Sequence, residues 1–361
     1  MQAAPPEALA AELLAQVPRS PDAFLHKLDL AREMVLLVEL TASGYRSASF
    51  LDDRLLTPAT RGAWVPLAAI EAASRTLRAT QPVHFIFHTG HVGSTLLSRL
   101  LDDTGIVLPI REPLPLRTLA DAHDALGSPD SLLSEEQFNR ALGTFMRFWG
   151  RGYQATRCTV VKATSSASRL ASRTLSAEGQ VRAVYLNLGA EPYLAALLAG
   201  KNSAADLRGH GPERMRRLQA RTDSPLPALH SLTPGELAAM SWLAETCTQH
   251  DALTLFSERI LAVDFDRFLS DIEESMRRIL THLGLRADPG YLANVRSNPS
   301  LARYSKAPEH PYSPALRAEV LGESRRYNRD EIRKGLDWIA KCARADGAFA
   351  AILTAVEERG R

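Results

Sequence analysis

One stretch of the chain combines a short apolar run, two glycines and a row of small polar residues. Val83–Phe87 has the continuous apolar character of a parallel strand that is covered on both faces. A turn with Gly90 and Gly93 follows, and leucines then recur at helical spacing from Leu96. Free N–H groups at the start of a helix that follows a glycine turn can bind phosphate or sulfate. The stretch therefore predicts an anion-binding loop between a strand and a helix.

This loop differs from a Walker A motif, because Gly93 is followed directly by Ser94 and no lysine is present. Its donors would be main-chain N–H groups, the hydroxyls of Ser94 and Thr95, and His91 when it is protonated. The predicted binding residues are Gly90, His91, Val92, Gly93, Ser94 and Thr95. A plain strand–helix connection, in which the glycines serve packing alone, is the alternative.

Two charged residues lie at the ends of apolar strands that are predicted later in the chain. Glu112 precedes Pro113, which favours an extended backbone at Glu112. A carboxylate at a strand end near an anion site can act as a general base towards a hydroxyl, and an ion pair with Arg111 is the alternative. Lys162 ends another strand, where a lysine is costly unless it meets an anion or a carboxylate. We therefore expect Lys162 to face a ligand, with a structural ion pair as the alternative.

Metal chemistry has weaker signals in this chain. His84 and His88 would share one face of a strand and His91 lies past the turn, but this spacing matches no helix-borne ligand pair. Ile260–Asp264 has the pattern of a Walker B strand, whose aspartate would hold Mg²⁺ in a kinase or nucleotide hydrolase. We expect no metal site.

The order of elements favours an α/β fold with a P-loop-type, mostly parallel sheet flanked by helices. The predicted strands are Val83–Phe87, Ile106–Ile110, Thr159–Lys162, Val181–Leu188 and Ile260–Phe265. A helix is predicted from Pro234 to about His250, and another from Leu269 to Leu283, ended by Gly284. Ligands of such sheets bind beyond the carboxyl ends of the strands, where the charged residues above would lie.

We predict an N-terminal α+β cap module at 1–80 and a P-loop α/β domain at 81–361. The domain includes a basic insertion at 198–232 and a helical part at 290–361. The insertion is either a lid over an anionic ligand or a solvated helix and loop. The predicted elements of the module are a helix at Glu7–Leu14, strands at Met34–Leu40, Tyr45–Phe50 and Trp64–Pro66, a turn at Ala42–Gly44 and a helix at Ile70–Ala79.

Composition is that of an ordinary globular protein. The 361 residues are 45% hydrophobic and carry a net charge of +2, so no overall field favours nucleic acid or a membrane as a partner. The three cysteines form no C-x-x-C pair, which suits a reducing compartment. No apolar run approaches the length of a membrane span and residues 1–19 lack a signal-peptide pattern, so we expect a cytoplasmic protein.

Thr89–Leu97 resembles the 5′-phosphosulfate loop of the P-loop sulfotransferases, with Gly93 to Leu97 matching and His91 at the usual basic position. Glu112 matches the glutamate that several branches carry as catalytic base, and Val160–Lys162 is similar to a strand whose polar end faces the sulfate. Val263–Phe268, through Leu283–Leu285, resembles the family's late strand, turn and helix.

The resemblance implies a sulfotransferase that takes 3′-phosphoadenosine-5′-phosphosulfate as co-substrate and transfers its sulfuryl group to a hydroxyl or amine of a small-molecule or peptide acceptor. It implies Glu112, Lys162 and His91 as catalytic residues and requires no metal.

The chain departs from the family where the donor's 3′-phosphate is usually bound. Asn187–Tyr193 retains Pro192 of an Arg-Asp-Pro motif but lacks its arginine, and Leu198 stands at the position of a later serine. Alanine or leucine cannot replace the bidentate contact of an arginine. The other basic candidates are Lys201, Arg208, Arg303 and Lys306. The remaining hypotheses are a Mg²⁺-dependent P-loop kinase, with Asp264 or Asp266 as ligand, and a non-catalytic ligand-binding protein.

Overall fold

The computed structural model describes residues 6–77, 80–177, 180–200, 203–286, 288–305 and 311–360. Its N-terminal part is a three-stranded antiparallel sheet with three helices. In chain order these elements are α1 Pro6–Gln16, β1 Ala23–Asp29, β2 Met34–Glu39, α2 Ala42–Ser47, β3 Gly62–Pro66 and α3 Leu67–Ser74.

Two strands of the N-terminal sheet, β2 and β3, are confirmed, whereas β1 was not predicted. The strand predicted at Tyr45–Phe50 is wrong, because most of this segment belongs to α2 or the bends after it. Thr41 explains the difference: its side chain accepts a hydrogen bond from the N–H of Gly44 at 3.2 Å and so begins a helix where a turn was expected. The helix predicted at Ile70–Ala79 begins earlier, at Leu67, and Ala79 lies outside the described residues.

The main sheet has five parallel strands, which confirms the α/β prediction. They are β4 Val83–His88, β5 Val107–Arg111, β6 Cys158–Lys162, β7 Ala183–Asn187 and β8 Ile260–Asp264. Their spatial order is β5-β6-β4-β7-β8, so β4 lies at the centre of the sheet. The loop after β4 is therefore flanked by the strand ends of β6 on one side and β7 on the other.

The remaining elements are helices and short turns on both faces of this sheet. The helices are α4 Ser94–Asp102, α5 Leu114–Ala125, α6 Glu135–Trp149, α7 Ala171–Ala177, α8 Ala190–Ala199, α9 Ser203–Gln219, α10 Pro234–Leu255, α11 Phe265–Ser270, α12 Ile272–His282, α13 Pro289–Asn294, α14 Pro314–Tyr327, α15 Arg329–Ala345 and α16 Gly347–Gly360. Among the described residues, none of the helices is long and apolar enough to span a bilayer.

Alternating residues of β4 belong to two hydrophobic cores, because successive side chains of a strand point to opposite faces. Ile86 packs in the core that α4, α8, α10 and the C-terminal helices share. Phe85 and Phe87 pack in the second core, with α5, α6 and the N-terminal sheet. The N-terminal residues Val35 and Leu37 thus belong to the core of the main sheet's second face.

Arg111, the last residue of β5, connects the N-terminal part to the main sheet through hydrogen bonds. Its fully buried guanidinium donates to the carbonyl oxygens of Tyr45 and Ala48, both at 2.9 Å, and to Ser98 Oγ at 3.0 Å. It also forms an ion pair with Asp102 at 2.9 Å. The predicted alternative, an ion pair between Arg111 and Glu112, is therefore wrong.

Candidate active site

The loop after β4 is positioned by His88, the last residue of that strand. The N–H of Gly90 donates to His88 Nδ1 at 3.1 Å, so the other ring nitrogen, Nε2, donates to the carbonyl oxygen of Ala163 at 2.9 Å. This arrangement defines a neutral imidazole whose two hydrogen bonds join the loop to the end of β6. His88 therefore holds the loop through main-chain contacts.

The loop has a left-handed backbone at three positions, with φ of 102° at Gly90, 53° at His91 and 67° at Gly93. Gly93 is required for a second reason, because a Cβ atom there would overlap the ring of Phe265. His91 adopts this conformation without being glycine, which is energetically costly and typical of functional loops. It is exposed at the surface of the loop.

The N-terminus of α4 presents donors that the described chain does not use. The first main-chain bond of the helix runs from Leu97 N–H to Gly93 O at 3.0 Å, so the N–H groups of Ser94, Thr95 and Leu96 precede the helical ladder. The hydroxyl of Thr95 is buried without a hydrogen-bond partner among the described residues. An unpaired buried hydroxyl is unfavourable, so its position suits an incoming anion. The predicted anion-binding loop has this geometry.

Glu112 and Lys162 meet where β5 and β6 end. The N–H of Glu112 donates to the carbonyl oxygen of Lys162 at 2.7 Å, and Lys162 Nζ forms an ion pair with Glu112 Oε1. The Lys162 side chain is fully buried, whereas 11% of the Glu112 side chain is exposed. The φ of Glu112 is +56°, so the predicted extended backbone is wrong at this residue. The strain is sustained by the main-chain bond to Lys162 on one side and Pro113 on the other.

Two residues that the sequence did not single out also border this pair. Arg117 of α5 places Nη2 3.8 Å from Glu112 Oε2. The ring of Phe50, from the N-terminal part, has Lys162 Nζ at 5.7 Å from its centre, and Arg54 stacks on that ring at 3.6 Å. Proximity in sequence could have indicated Arg117, which lies five residues after Glu112, but no local pattern indicates Phe50.

A cavity of about 270 Å³ opens beside the loop, on the β8 side of the sheet. One wall is the loop and the start of α4, and the other is mostly apolar and aromatic. The residues of the second wall include Ala196, Phe265, Tyr304, Tyr312, Leu316, Arg317, Val320 and Leu321. The cavity thus joins an anion-binding end to an aromatic and aliphatic end.

Arg317 is the described cation on the far wall of this cavity. Its guanidinium stacks 5.1 Å from the centre of the Phe265 ring and forms an ion pair with Asp266 at 2.7 Å. Its Nη2 atom and the Tyr312 hydroxyl are buried without hydrogen-bond partners among the described residues. The sequence analysis missed Arg317, since only the packing of α14 against α8 brings it to the cavity.

Of the four basic residues suggested by sequence, Arg208 and Arg303 do not line this cavity. Arg208 is exposed on α9, and Arg303 is exposed and forms an antiparallel bridge with Pro311. Lys201 and Lys306 lie outside the described residues.

In the predicted basic insertion, Arg214 is buried against Glu245 at 3.0 Å and Arg217 bonds the same carboxylate at 3.0 Å. These two side chains anchor α9 to α10, so this part of the insertion is not a solvated helix, and its role as a lid over an anionic ligand stays a prediction. Arg214 Nη2 also lies 3.4 Å from Ser165 Oγ, next to Gly90.

The residues proposed for metal chemistry have other partners. His84 Nδ1 accepts from Arg182 N–H at 3.2 Å, and burial lowers the pKa of His84 to about 4. Asp264 caps α11, accepting from the N–H groups of Asp266 and Arg267 at 3.0 Å each. Within the described ranges no group of three or more His, Cys, Asp or Glu side chains could hold a metal ion.

Comparison with known proteins gave structural similarities only. No protein-family model and no curated protein matched the chain. Its structure is similar to the sulfotransferase domain from the curacin biosynthetic pathway, with 14% identity, 64% of this chain and 84% of that one covered and a TM-score of 0.39. Mouse sulfotransferase SULT7A1 complexed with PAP is also similar, with 13% identity, 79% of this chain and 93% of that chain covered and a TM-score of 0.38. Sulfotransferase STF9 from Mycobacterium avium has 11% identity, with 88% of this chain and 96% of that chain covered and a TM-score of 0.39.

Proposed function

We propose that this protein transfers the sulfuryl group of 3′-phosphoadenosine-5′-phosphosulfate to a hydroxyl or amine of an acceptor. The observation that carries the proposal is the ion pair between Glu112 and Lys162 at the ends of neighbouring strands, beside an anion-binding loop. A base and a cation adjoining an oxyanion site are the groups that an in-line sulfuryl transfer needs.

The loop and the cavity beside it suit the donor. The N–H groups at the start of α4 and the hydroxyls of Ser94 and Thr95 would bind the 5′-phosphate, since helix N-termini attract anions. The aromatic and aliphatic end of the cavity would hold the nucleoside, and Arg317 offers one unused N–H group there. Arg317 therefore takes the place of the basic group that is missing after β7.

In the proposed reaction the acceptor oxygen or nitrogen attacks sulfur as the bond from sulfur to the bridging phosphate oxygen breaks. Glu112 takes the proton of the acceptor, and the products are the sulfated acceptor and 3′-phosphoadenosine 5′-phosphate. Lys162, together with His91 when protonated, would stabilise the negative charge that develops on the departing oxygen.

The ion pair of the free protein must separate before Glu112 can act as a base. A sulfuryl oxygen of the donor would compete with Glu112 for Lys162, because both offer negative oxygen to one ammonium group. Donor binding would thus release the Glu112 carboxylate towards the acceptor. While no donor is present, Glu112 would therefore stay paired with Lys162.

Calorimetric titration tests the donor assignment directly. We expect 3′-phosphoadenosine 5′-phosphate to bind, and to bind more tightly than adenosine 5′-phosphate if Arg317 contacts the second phosphate. Transfer of labelled sulfate to a broad panel of hydroxyl and amine compounds then tests catalysis. Absence of binding by any adenine nucleotide would favour the non-catalytic hypothesis, whereas chelator-sensitive turnover of ATP would favour a kinase.

A further inference from the structure

A short segment of the N-terminal part lies against the end of the main sheet that carries the candidate base. The N–H of Leu51 donates to the carbonyl oxygen of Arg111, the last residue of β5, at 2.7 Å. Two residues earlier, Ser49 Oγ accepts a hydrogen bond from Arg99 Nη2 of α4 at 2.8 Å. The residue between them, Phe50, is therefore held on both sides by hydrogen bonds to the main α/β unit.

The ring of Phe50 adjoins the ion pair of Glu112 and Lys162. Lys162 Nζ lies 5.7 Å from the centre of the ring, within the range of a cation–π interaction. This interaction is stronger where the cation has lost its water, and the Lys162 side chain is fully buried. The ammonium group thus has an aromatic partner in addition to the carboxylate of Glu112.

The other charged groups near this ammonium already have partners in the described chain. The Arg54 guanidinium stacks on the same ring at 3.6 Å, and its Nε donates to Asp52 at 2.8 Å. Asp52 therefore offsets the charge of Arg54, whose main effect is to cover the ring. Arg117 of α5 lies 3.8 Å from the second oxygen of Glu112. Glu112 is thus the acidic group that pairs with the Lys162 ammonium.

This arrangement matters when the carboxylate leaves. A buried ammonium group without a partner tends to lose its proton, because burial disfavours the charged form. The negative face of an aromatic ring favours the charged form. Since the ring offers no negative oxygen, a sulfuryl group that displaces Glu112 from Lys162 would not displace Phe50. The ring would therefore remain beside the ammonium throughout the exchange.

We propose that Phe50 is a positioning residue, whose ring keeps the Lys162 ammonium ionised and in place while Glu112 is released towards the acceptor. The N-terminal part then supplies a group to the reaction as well as packing against the sheet. The role of Phe50 in catalysis rests on the sulfuryl transfer proposed above. Its effect on Lys162 does not, because the contact is present in the protein without a donor.

NMR can observe Lys162 directly, because the chain has only six lysines. Carbon-13 labelling of the lysine ε-carbons gives few signals, and the signal that is lost in Lys162→Gln belongs to Lys162. The titration is carried out in the Glu112→Gln background, which removes the carboxylate charge as the proposed release would. Replacing Phe50 there by pentafluorophenylalanine should lower the midpoint of the Lys162 titration by about half a pH unit to one unit. Fluorine withdraws charge from the ring face and nearly preserves the shape of the ring.

Two natural substitutions and one control accompany this replacement. Phe50→Leu should lower the midpoint in the same way, and Phe50→Tyr should leave it unchanged, since tyrosine keeps the aromatic face. Phe256→Leu is the matched control, because Phe256 is also half-buried and has a cation, Arg259, at 4.7 Å from its ring centre. It precedes β8 and so lies at the opposite end of the parallel sheet.

An unchanged midpoint with pentafluorophenylalanine, or an equal shift in Phe256→Leu, would overturn the proposal. Labelled-sulfate transfer is measured separately with Glu112 intact, where Phe50→Leu should lower kcat by about fivefold and leave the KM for the donor nearly unchanged. A shifted midpoint in a protein that transfers no sulfate would support the ring contact and remove the sulfuryl transfer. Transfer with an unshifted midpoint would remove the role of Phe50 alone.

Discussion

Glu112 and Lys162 are joined both by their main chains and by their side chains. The N–H of Glu112 donates to the carbonyl oxygen of Lys162 at 2.7 Å, and the carboxylate of Glu112 pairs with the buried ammonium of Lys162. The main-chain bond holds the backbone of Glu112 in place, and the ion pair holds its carboxylate in the free protein. In the proposed reaction the donor displaces the carboxylate from Lys162, while the main-chain bond keeps Glu112 oriented towards the acceptor.

Glu112→Gln should leave the binding of 3′-phosphoadenosine 5′-phosphate within about twofold of wild type and lower turnover by about 10²-fold or more, because the amide cannot take a proton. Labelled-sulfate transfer and calorimetry measure the two quantities. Glu71→Gln is the control, since Glu71 lies 3.5 Å from Arg140 and does not line the cavity beside the loop. Unchanged turnover in Glu112→Gln would remove this residue from the role of base.

Gly93→Ala should cost more stability than Gly127→Ala, although both glycines have a positive φ, of 67° and 80°. Gly127 has open space where a Cβ would lie, so its replacement adds only backbone strain, about 1 kcal/mol. At Gly93 the added Cβ would also overlap the ring of Phe265. Chemical denaturation measures the difference, and Phe265→Leu should recover part of it. Equal losses at the two glycines would contradict the close contact.

Arg317→Gln should weaken the binding of 3′-phosphoadenosine 5′-phosphate by about tenfold, because a charge-assisted contact to the nucleotide is lost. Arg325→Gln on the same helix is the control, since Arg325 pairs with Glu191 at 2.7 Å and lies outside the cavity lining. If both variants bind the nucleotide as wild type does, Arg317 does not contact the donor.

Stability should fall as the pH drops from about 6.5 towards 4, in part because of His84. Burial lowers the pKa of His84 from 6.5 to about 4, so the unfolded chain binds a proton in this range and the folded protein does not. The contribution of His84 to the free energy of unfolding is complete above its pKa in the unfolded chain. It declines by about 3 kcal/mol as the pH falls from there to the pKa of the folded protein. Denaturation of His84→Gln and wild type at pH 7 and pH 4.5 measures it, and parallel losses would exclude His84 as the cause. His26, His210 and His282 also have lowered pKa values, so the difference between the two proteins is the relevant quantity.

The five strands of the main sheet could be predicted from sequence because each is a short, almost continuous apolar run. A strand covered on both faces has no polar side, and all six residues of β4 are buried. The glycine turn between β4 and α4 was predictable for a similar reason, since Gly90 and Gly93 lie between an apolar strand and a periodic helix. These are local properties, and each can be identified from fewer than twenty consecutive residues.

The N-terminal part shows where local patterns fail. The alternation at Tyr45–Phe50 predicted a strand, but the cap at Thr41 and the burial of Tyr45 against the rest of the fold produced a helix. Glu112 was expected to be extended, yet the carbonyl oxygen of Lys162, fifty residues away in the chain, stabilises a left-handed backbone there. In the first case a local cap contributed together with tertiary burial, and in the second a contact distant in sequence overrode the local preference.

The sequence by itself determined the α/β fold class, the glycine loop and the charged residues that end neighbouring strands. Only the tertiary structure decided which charged residues form ion pairs. Lys162 pairs with Glu112, whereas Arg111 pairs with Asp102 and donates hydrogen bonds to carbonyl oxygens of the N-terminal part. It also brought Arg317 to the cavity and Phe50 to the candidate base. Periodicity records which side chains are buried, but ion pairs between distant strands and helices depend on the order of strands in the sheet, which no local pattern encodes.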